Sequence, residues 1–210
     1  MAGRARHLPA ERRRVEAVEA VVELSARASP DSITTTDVAA RMSLTQGALF
    51  KHFPNKDALW QAAMEWVADR LLSRIDRLAG SHSDPLCALE AMFVGHVAFI
   101  AEHPGAPRMI FGQLQHAGDT AARRMTRTLL ANYGTRLRRV LSSGVAEGAL
   151  PAELDIEAAV ALYLGMIQGL VIRHLLHGDV ARIRSDAPRV FAIYRAGLLG
   201  GAKPCPDPSP

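Results

Sequence analysis

Cysteine is almost missing from this chain: of 210 residues only Cys87 and Cys205 are thiols. Two cysteines so far apart exclude a disulfide framework and suit a reducing compartment, so a cytoplasmic protein is expected. Aromatic residues are scarce, at 5%, and strand formers are sparse, while Ala, Leu, Arg and Glu recur at helical spacings. A sheet-based fold is therefore disfavoured and an all-α one expected. Long apolar runs are lacking too. The most apolar stretch, Ala158 to Ile172, is shorter than the ~20 residues that span a bilayer and carries Gln168, so no membrane partner is expected. No apolar segment follows the first arginines, which argues against a signal peptide. P-loop, dinucleotide glycine, zincin and nucleophile-elbow motifs are all missing, and the carboxylates are scattered over helix surfaces. Neither an enzyme nor a bound cofactor is expected.

What is present is ordinary in amount and uneven in placement. Apolar residues make up 49% and charged residues 22%, the balance of a globular protein. The net charge of +4 is concentrated early: residues 1–56 hold nine Lys plus Arg against six Asp plus Glu. Arg4, Arg6, Arg12, Arg13 and Arg14 open the chain, and Lys51 and Lys56 are two of its three lysines. A basic end suits an anionic partner.

From Ala10 to Ser29 the valines Val15, Val18, Val21 and Val22 line one side of an amphipathic first helix. Three helix starts then follow in quick succession. Thr34 with Asp37 has the spacing of a capping box, and Ile33 with Val38 that of a hydrophobic staple. Thr45 repeats the device with Leu44 and Leu49, and Asn55 after Pro54 caps a third helix beginning at Lys56. Two short helices joined by a tight turn form a helix-turn-helix, whose second helix presents its N-terminal residues to the major groove. That places Thr45, Gln46, Gly47 and Ala48 near base edges, with Lys51 one turn on. Gln46 can pair with adenine through both ends of its amide, and Ala48 can touch a thymine methyl. Thr34, Thr35 and Thr36 at one helix start, His52, and Lys56 at another are the expected phosphate partners.

The string TTTDVAARMSLTQGALFKHFPNKDAL closely resembles the DNA-binding region of the TetR family of bacterial transcriptional regulators, with its apolar-Thr start, Gly-x-Leu-aromatic core and Pro-x-Lys-acidic continuation. Two positions depart from the family pattern. Ser43 stands where Gly is common in the turn and must adopt the conformation Gly would supply. Phe50, also on the expected DNA side, stands where Tyr is common and lacks the hydroxyl of the usual phosphate contact.

The resemblance implies an N-terminal three-helix DNA-binding domain (1–56) and a larger helical effector-binding and dimerisation domain (57–200), followed by a Pro-rich tail (201–210) read as disordered. Helical patterns run over Asp57–Ala79, Pro85–Glu102, Thr120–Ala146, Ile156–His177 and Asp186–Leu199, with a short apolar piece at Met109–Leu114. It further implies a homodimer built from the last two helices, for which Leu162, Gly165, Met166, Gly169, Phe191, Tyr194 and Leu198 are candidates. It also implies a small organic effector held among the middle helices. Candidate lining residues are Trp66, Phe93, His96, Ile100, Met109, Phe111, Gln113, Leu114, Tyr133 and Met166, although Met and aromatics at helical spacing also suit a plain core. His174 and His177 could share a helix face and, with His116 or Cys87, hold a metal, but histidines near a helix C-terminus equally suit its dipole, so no metal site is assigned. The function so implied is a dimeric repressor released from an inverted-repeat operator, a double-stranded DNA site, by its effector. A ligand-independent regulator or activator, or a helical small-molecule-binding protein without operator recognition, would use the same scaffold.

Overall fold

The computed structural model describes residues 9–112 and 118–200. Gln113, Leu114, His116 and the 201–210 tail lie outside the described residues. Among the described residues there are nine α-helices and no strand. They are α1 (Ala10–Ser25), α2 (Thr35–Arg41), α3 (Gln46–Phe50), α4 (Lys56–Gly80), α5 (Pro85–Glu102), α6 (Gly105–Gly112), α7 (Ala121–Ala146), α8 (Ile156–His177) and α9 (Ile183–Gly200). Short 3₁₀ turns at Pro30–Ser32 and Val180–Arg182 precede α2 and α9. The first helix stops four residues earlier than its apolar pattern suggests. The last begins earlier than expected and carries Pro188 within it.

Two compact units emerge. The first contains the described residues up to Arg70 together with Glu102–Leu129; the second contains Leu71–Ala101 and the described residues from Leu130 on. This division does not follow the sequence boundary at residues 56 and 57, because α6 returns to pack on α1. Gly105 makes that return possible: a Cβ there would stand 1.8 Å from the Val22 carbonyl oxygen, so only glycine admits so close a backbone approach. Around this junction Val18, Val21, Val38, Leu49, Phe53 and Leu59 form the sealed core of the first unit.

The second unit is held by aromatic rings. Phe93 meets Tyr163 edge-on at 5.3 Å between centroids and Phe191 at 5.6 Å, and Tyr163 lies 5.7 Å from Tyr194. Their polar ends are partly satisfied by backbone: Tyr163 donates to the Leu89 carbonyl at 3.1 Å and Tyr194 to that of Ala159 at 3.0 Å. Burial raises both hydroxyls above the usual tyrosine range. Helices α5 and α8 are each long and apolar enough, by length and composition, to cross a membrane. Here α5 turns Leu89, Met92, Phe93 and Val97 into the protein core, and α8 does the same with Tyr163, Ile167 and Val171.

Candidate nucleic-acid interface and effector core

The helix-turn-helix is fixed at its ends rather than by its length. Thr34 accepts a hydrogen bond from the Asp37 backbone N–H at 3.1 Å, and Asp37 accepts from the Thr34 N–H at 2.8 Å and from its hydroxyl at 2.7 Å. This is the capping box the sequence predicts, and the Thr34 donors hold the Asp37 carboxyl below its ordinary range. Helix α2 closes with the Leu44 N–H on the Ala39 carbonyl at 2.8 Å and the Ser43 N–H on that of Ala40 at 3.0 Å. Between them Ser43 has φ 56°, the left-handed conformation that favours glycine. Thr45 then caps α3 through the Ala48 N–H at 3.2 Å, and Asn55 caps α4 through the Ala58 N–H at 2.8 Å.

Helix α3 buries Leu49 alone and leaves Gln46, Gly47, Phe50 and Lys51 exposed, with Ala48 and His52 half-buried. Phe50 is 41% exposed, an unusual position for a phenyl ring. Thr34 and Thr36 are exposed at the start of α2. Thr35 is different: it is 9% exposed and accepts a hydrogen bond from Gln46 Nε2 at 2.7 Å. The Lys56 ammonium lies 3.4 Å from the Asp31 carbonyl and over the Trp60 ring, so it is tied to the protein as well as half-exposed. Sequence patterning does not single out Arg14. Its guanidinium donates to the His52 carbonyl and stacks over Phe53 at 4.5 Å, clamping the residues just past α3 onto α1. Only the run of arginines hinted at it.

The expected effector residues do not form one cluster. Trp66, Met109 and Phe111 belong to the first unit and Phe93, His96, Ile100, Tyr133 and Met166 to the second. Trp66 packs edge-on against His103 at 5.2 Å and beneath the Arg70 guanidinium. Met109 floors a groove of about 550 Å³ with Lys56, Trp60 and Met64. Phe111 is half-buried. In the second unit Phe93 and Ile100 are sealed core, while His96 and Tyr133 lie together, their rings 5.3 Å apart. The Nδ1 atom of His96 and the hydroxyl of Tyr133 are buried without a hydrogen-bond partner. Burial drives the His96 pKa down to about 3, keeping the imidazole neutral, and raises that of Tyr133. His96 still keeps part of its surface accessible amid sealed neighbours.

Helices α8 and α9 expose an apolar face. Leu162 is 57% exposed, Ile193 76% and Leu176 81%. A groove of about 740 Å³ runs along this face over Leu162, Met166, Val190, Ile193 and Gly197. Gly165 and Gly169 are exposed on α8, with nothing within 4 Å of where a Cβ would sit. On α9 the expected residues divide: Tyr194 and Leu198 line this groove from within, and Phe191 is not among its lining residues. Phe191 is fully buried against Phe93 and Tyr194, and Tyr194 and Leu198 are nearly so. The outward stripe is Val190, Ile193 and Gly197, because α9 carries two apolar stripes one residue apart and spacing alone does not say which faces in.

His174 and His177 do not converge. His174, 7% exposed, sits with Nδ1 at 3.0 Å from the Asp179 carbonyl and Nε2 at 3.1 Å from the Asp186 carboxylate, joining the end of α8 to α9. His177 is exposed and contacts the Arg173 carbonyl at 2.7 Å. Cys87 is exposed beside Asp84, and among the described residues no three such ligands form a group that could hold a metal.

A capped helix-turn-helix carried on an all-helical body defines a class, the helix-turn-helix DNA-binding regulators. Residues 18–63 match the sequence profile described as bacterial regulatory proteins, tetR family, and residues 82–172 that of the tetracyclin repressor-like C-terminal domain. The chain is 26% identical over 162 residues to nucleoid occlusion factor SlmA of Vibrio cholerae, covering 77% of this chain and 83% of that one. Among solved structures, the fatty acid degradation regulator FadR from Bacillus halodurans shares the fold with a TM-score of 0.76 at 16% identity, over 89% of this chain and 96% of that chain. FadR from Bacillus subtilis, in complex with stearoyl-CoA, gives 0.74 at 16% identity, over 86% and 96%. The protein belongs to the tetR family of bacterial regulatory proteins and is a DNA-binding transcriptional regulator.

Proposed function

We propose that this regulator is a dimeric repressor that occupies an inverted-repeat operator and leaves it when a small organic effector enters the second unit. The observation that carries the effector role is the pair of unpartnered buried polar atoms, His96 Nδ1 and the Tyr133 hydroxyl, side by side in an aromatic core. An unmet buried polar atom costs about 1–3 kcal/mol, and a ligand that satisfies both recovers that cost. The effector is accordingly a mainly apolar molecule with one hydrogen-bonding group, a description that an acyl compound such as the one bound to the Bacillus subtilis FadR would meet. The exposed apolar face of α8 and α9 supports pairing of two copies, since so many exposed leucines and isoleucines on one face mark an interaction surface.

On DNA, Thr45, Gln46, Gly47 and Ala48 face base edges, Phe50 contributes an apolar contact, and Thr36, Lys51, His52 and Lys56 hold phosphates, while the Thr34 donors stay on Asp37 in the cap. Two recognition helices must meet half-sites about 34–36 Å apart, so a shift of a few Å on effector binding disengages one of them. The protein acts in the cytoplasm and performs no catalysis.

The test is recovery of an operator from random duplex DNA, followed by compound screening for thermal stabilisation and release of that operator. A stabilising compound that releases DNA from the native protein, and fails to do so with His96→Leu or Tyr133→Phe, is the expected result. Compounds that stabilise without releasing DNA would favour a small-molecule-binding protein, and failure of every compound would favour a ligand-independent regulator.

A further inference from the structure

Gln46 opens α3 as an exposed, flexible side chain, yet its amide is not free. Its Nε2 donates to Thr35 Oγ1 at 2.7 Å, and Thr35, the first residue of α2, is 9% exposed and β-branched, so its hydroxyl is held by packing and by a restricted χ1. The bond joins the two helices of the motif, which pack against each other.

We propose that Thr35 is a positioning residue that aims the Gln46 carboxamide at one adenine in each half-site. The proposal rests on α3 entering the major groove. A glutamine amide has two N–H donors and one carbonyl acceptor. With one N–H committed to Thr35, what remains is a single N–H beside Oε1. Adenine offers N7 as acceptor and N6–H as donor, which match that remainder; guanine offers two acceptors, N7 and O6, and thymine one acceptor beside a methyl group. The Thr35 bond thus selects among bases by using up the donor that guanine would need. It also holds the side chain in place before DNA arrives, so less rotamer freedom is lost on binding. Thr35 thereby leaves the group of phosphate contacts in which its place at a helix start first put it. Thr34 is occupied by the cap, and Thr36 is the exposed hydroxyl of the three.

The experiment selects enriched sequences from random duplex DNA with the full-length protein and its variants, then measures affinity for the recovered operator and its single-base changes at several salt concentrations. The native protein should enrich adenine at one position per half-site, with other bases there binding roughly 5- to 150-fold more weakly. Gln46→Ala should flatten that position alone. Thr35→Val should flatten the same position while leaving preferences elsewhere and the salt dependence unchanged, and Thr35→Ser should restore it. The double variant should lose no more than Gln46→Ala does. A uniform loss over all sequences with a smaller salt slope in Thr35→Val would make Thr35 a phosphate contact and overturn the proposal. Guanine or thymine enriched at the Gln46 position would overturn it too. Enrichment of no sequence by the native protein would remove the operator itself, and the proposal with it. Thermal melts of Thr35→Val and Thr35→Ser identify any loss that comes from unfolding, and Thr35→Ser with native base preference carries the test if Thr35→Val is unstable.

Discussion

The five residues of α3 bury one side chain, Leu49, whereas the eighteen of α9 bury Ile183, Ala187, Phe191, Tyr194 and Leu198. The short helix is too short to be stable alone. It depends on the Thr45 cap, the turn at Ser43 and the Arg14 clamp on the residue pair beyond its end, all of which leave Gln46, Gly47, Phe50 and Lys51 exposed. The long helix is stabilised by interlocking rings and keeps little of its inner face for anything else. The contrast shows how one chain separates binding from cohesion: polar end-caps where a surface must stay open, aromatic packing where it must stay closed.

The largest effect should come from making the same change on both sides of this contrast. Phe191→Ala is expected to cost about 3–5 kcal/mol of unfolding free energy, and Phe50→Ala no more than about 1 kcal/mol, both by urea denaturation. Similar losses would break the distinction. Acid should come next. His96 has a folded-state pKa of about 3 against an ordinary value of 6.5, so the unfolded chain binds the proton first. Its contribution is complete above that ordinary value and is lost as pH falls from there toward about 3, at up to about 1.4 kcal/mol per pH unit. His96→Leu should remove this slope from the stability profile; an unchanged slope would place the acid sensitivity elsewhere.

Ser43→Gly tests the open side, since it relieves a left-handed non-glycine residue and should raise stability by about 1 kcal/mol in a thermal melt. A lower melting point would mean that the serine side chain supports the turn. The smallest effect concerns the α2 cap. The Asp37 carboxyl is held below its ordinary value chiefly by the Thr34 hydroxyl, so the cap is complete above the usual carboxylate range and loosens only as pH falls through the lowered value. Amide exchange at Thr34 and Asp37 should stay protected down to that range in the native protein and be fast throughout in Asp37→Asn. Loss of protection at the same pH as an exposed aspartate would show that the cap does not hold the carboxyl.

Much of the helix-turn-helix was legible because its rules are local. Thr34, Asp37, Thr45 and Asn55 sit where caps must sit, and Ser43 takes the φ that a tight turn requires, whatever lies elsewhere in the chain. The grouping of the candidate effector residues was legible only in part. His96 and Tyr133 do meet, but Met109 floors a groove in the other unit and Met166 faces the α8–α9 groove, because an apolar residue at helical spacing carries no label for the surface it joins. For the same reason spacing on α9 does not tell Phe191, turned inward, from Ile193, turned outward.

The sequence by itself determined the all-helical fold and the helix-turn-helix with its caps and turn, since hydrophobic period and capping chemistry act over a few neighbouring residues, and the resemblance of that stretch to a known family pointed to the family. Tertiary structure alone decided that α6 returns to α1 through Gly105, that Arg14 braces the end of α3, and that Thr35 holds Gln46. Those contacts join residues from separate helices, and their geometry exists only once packing has set the distance and angle between them.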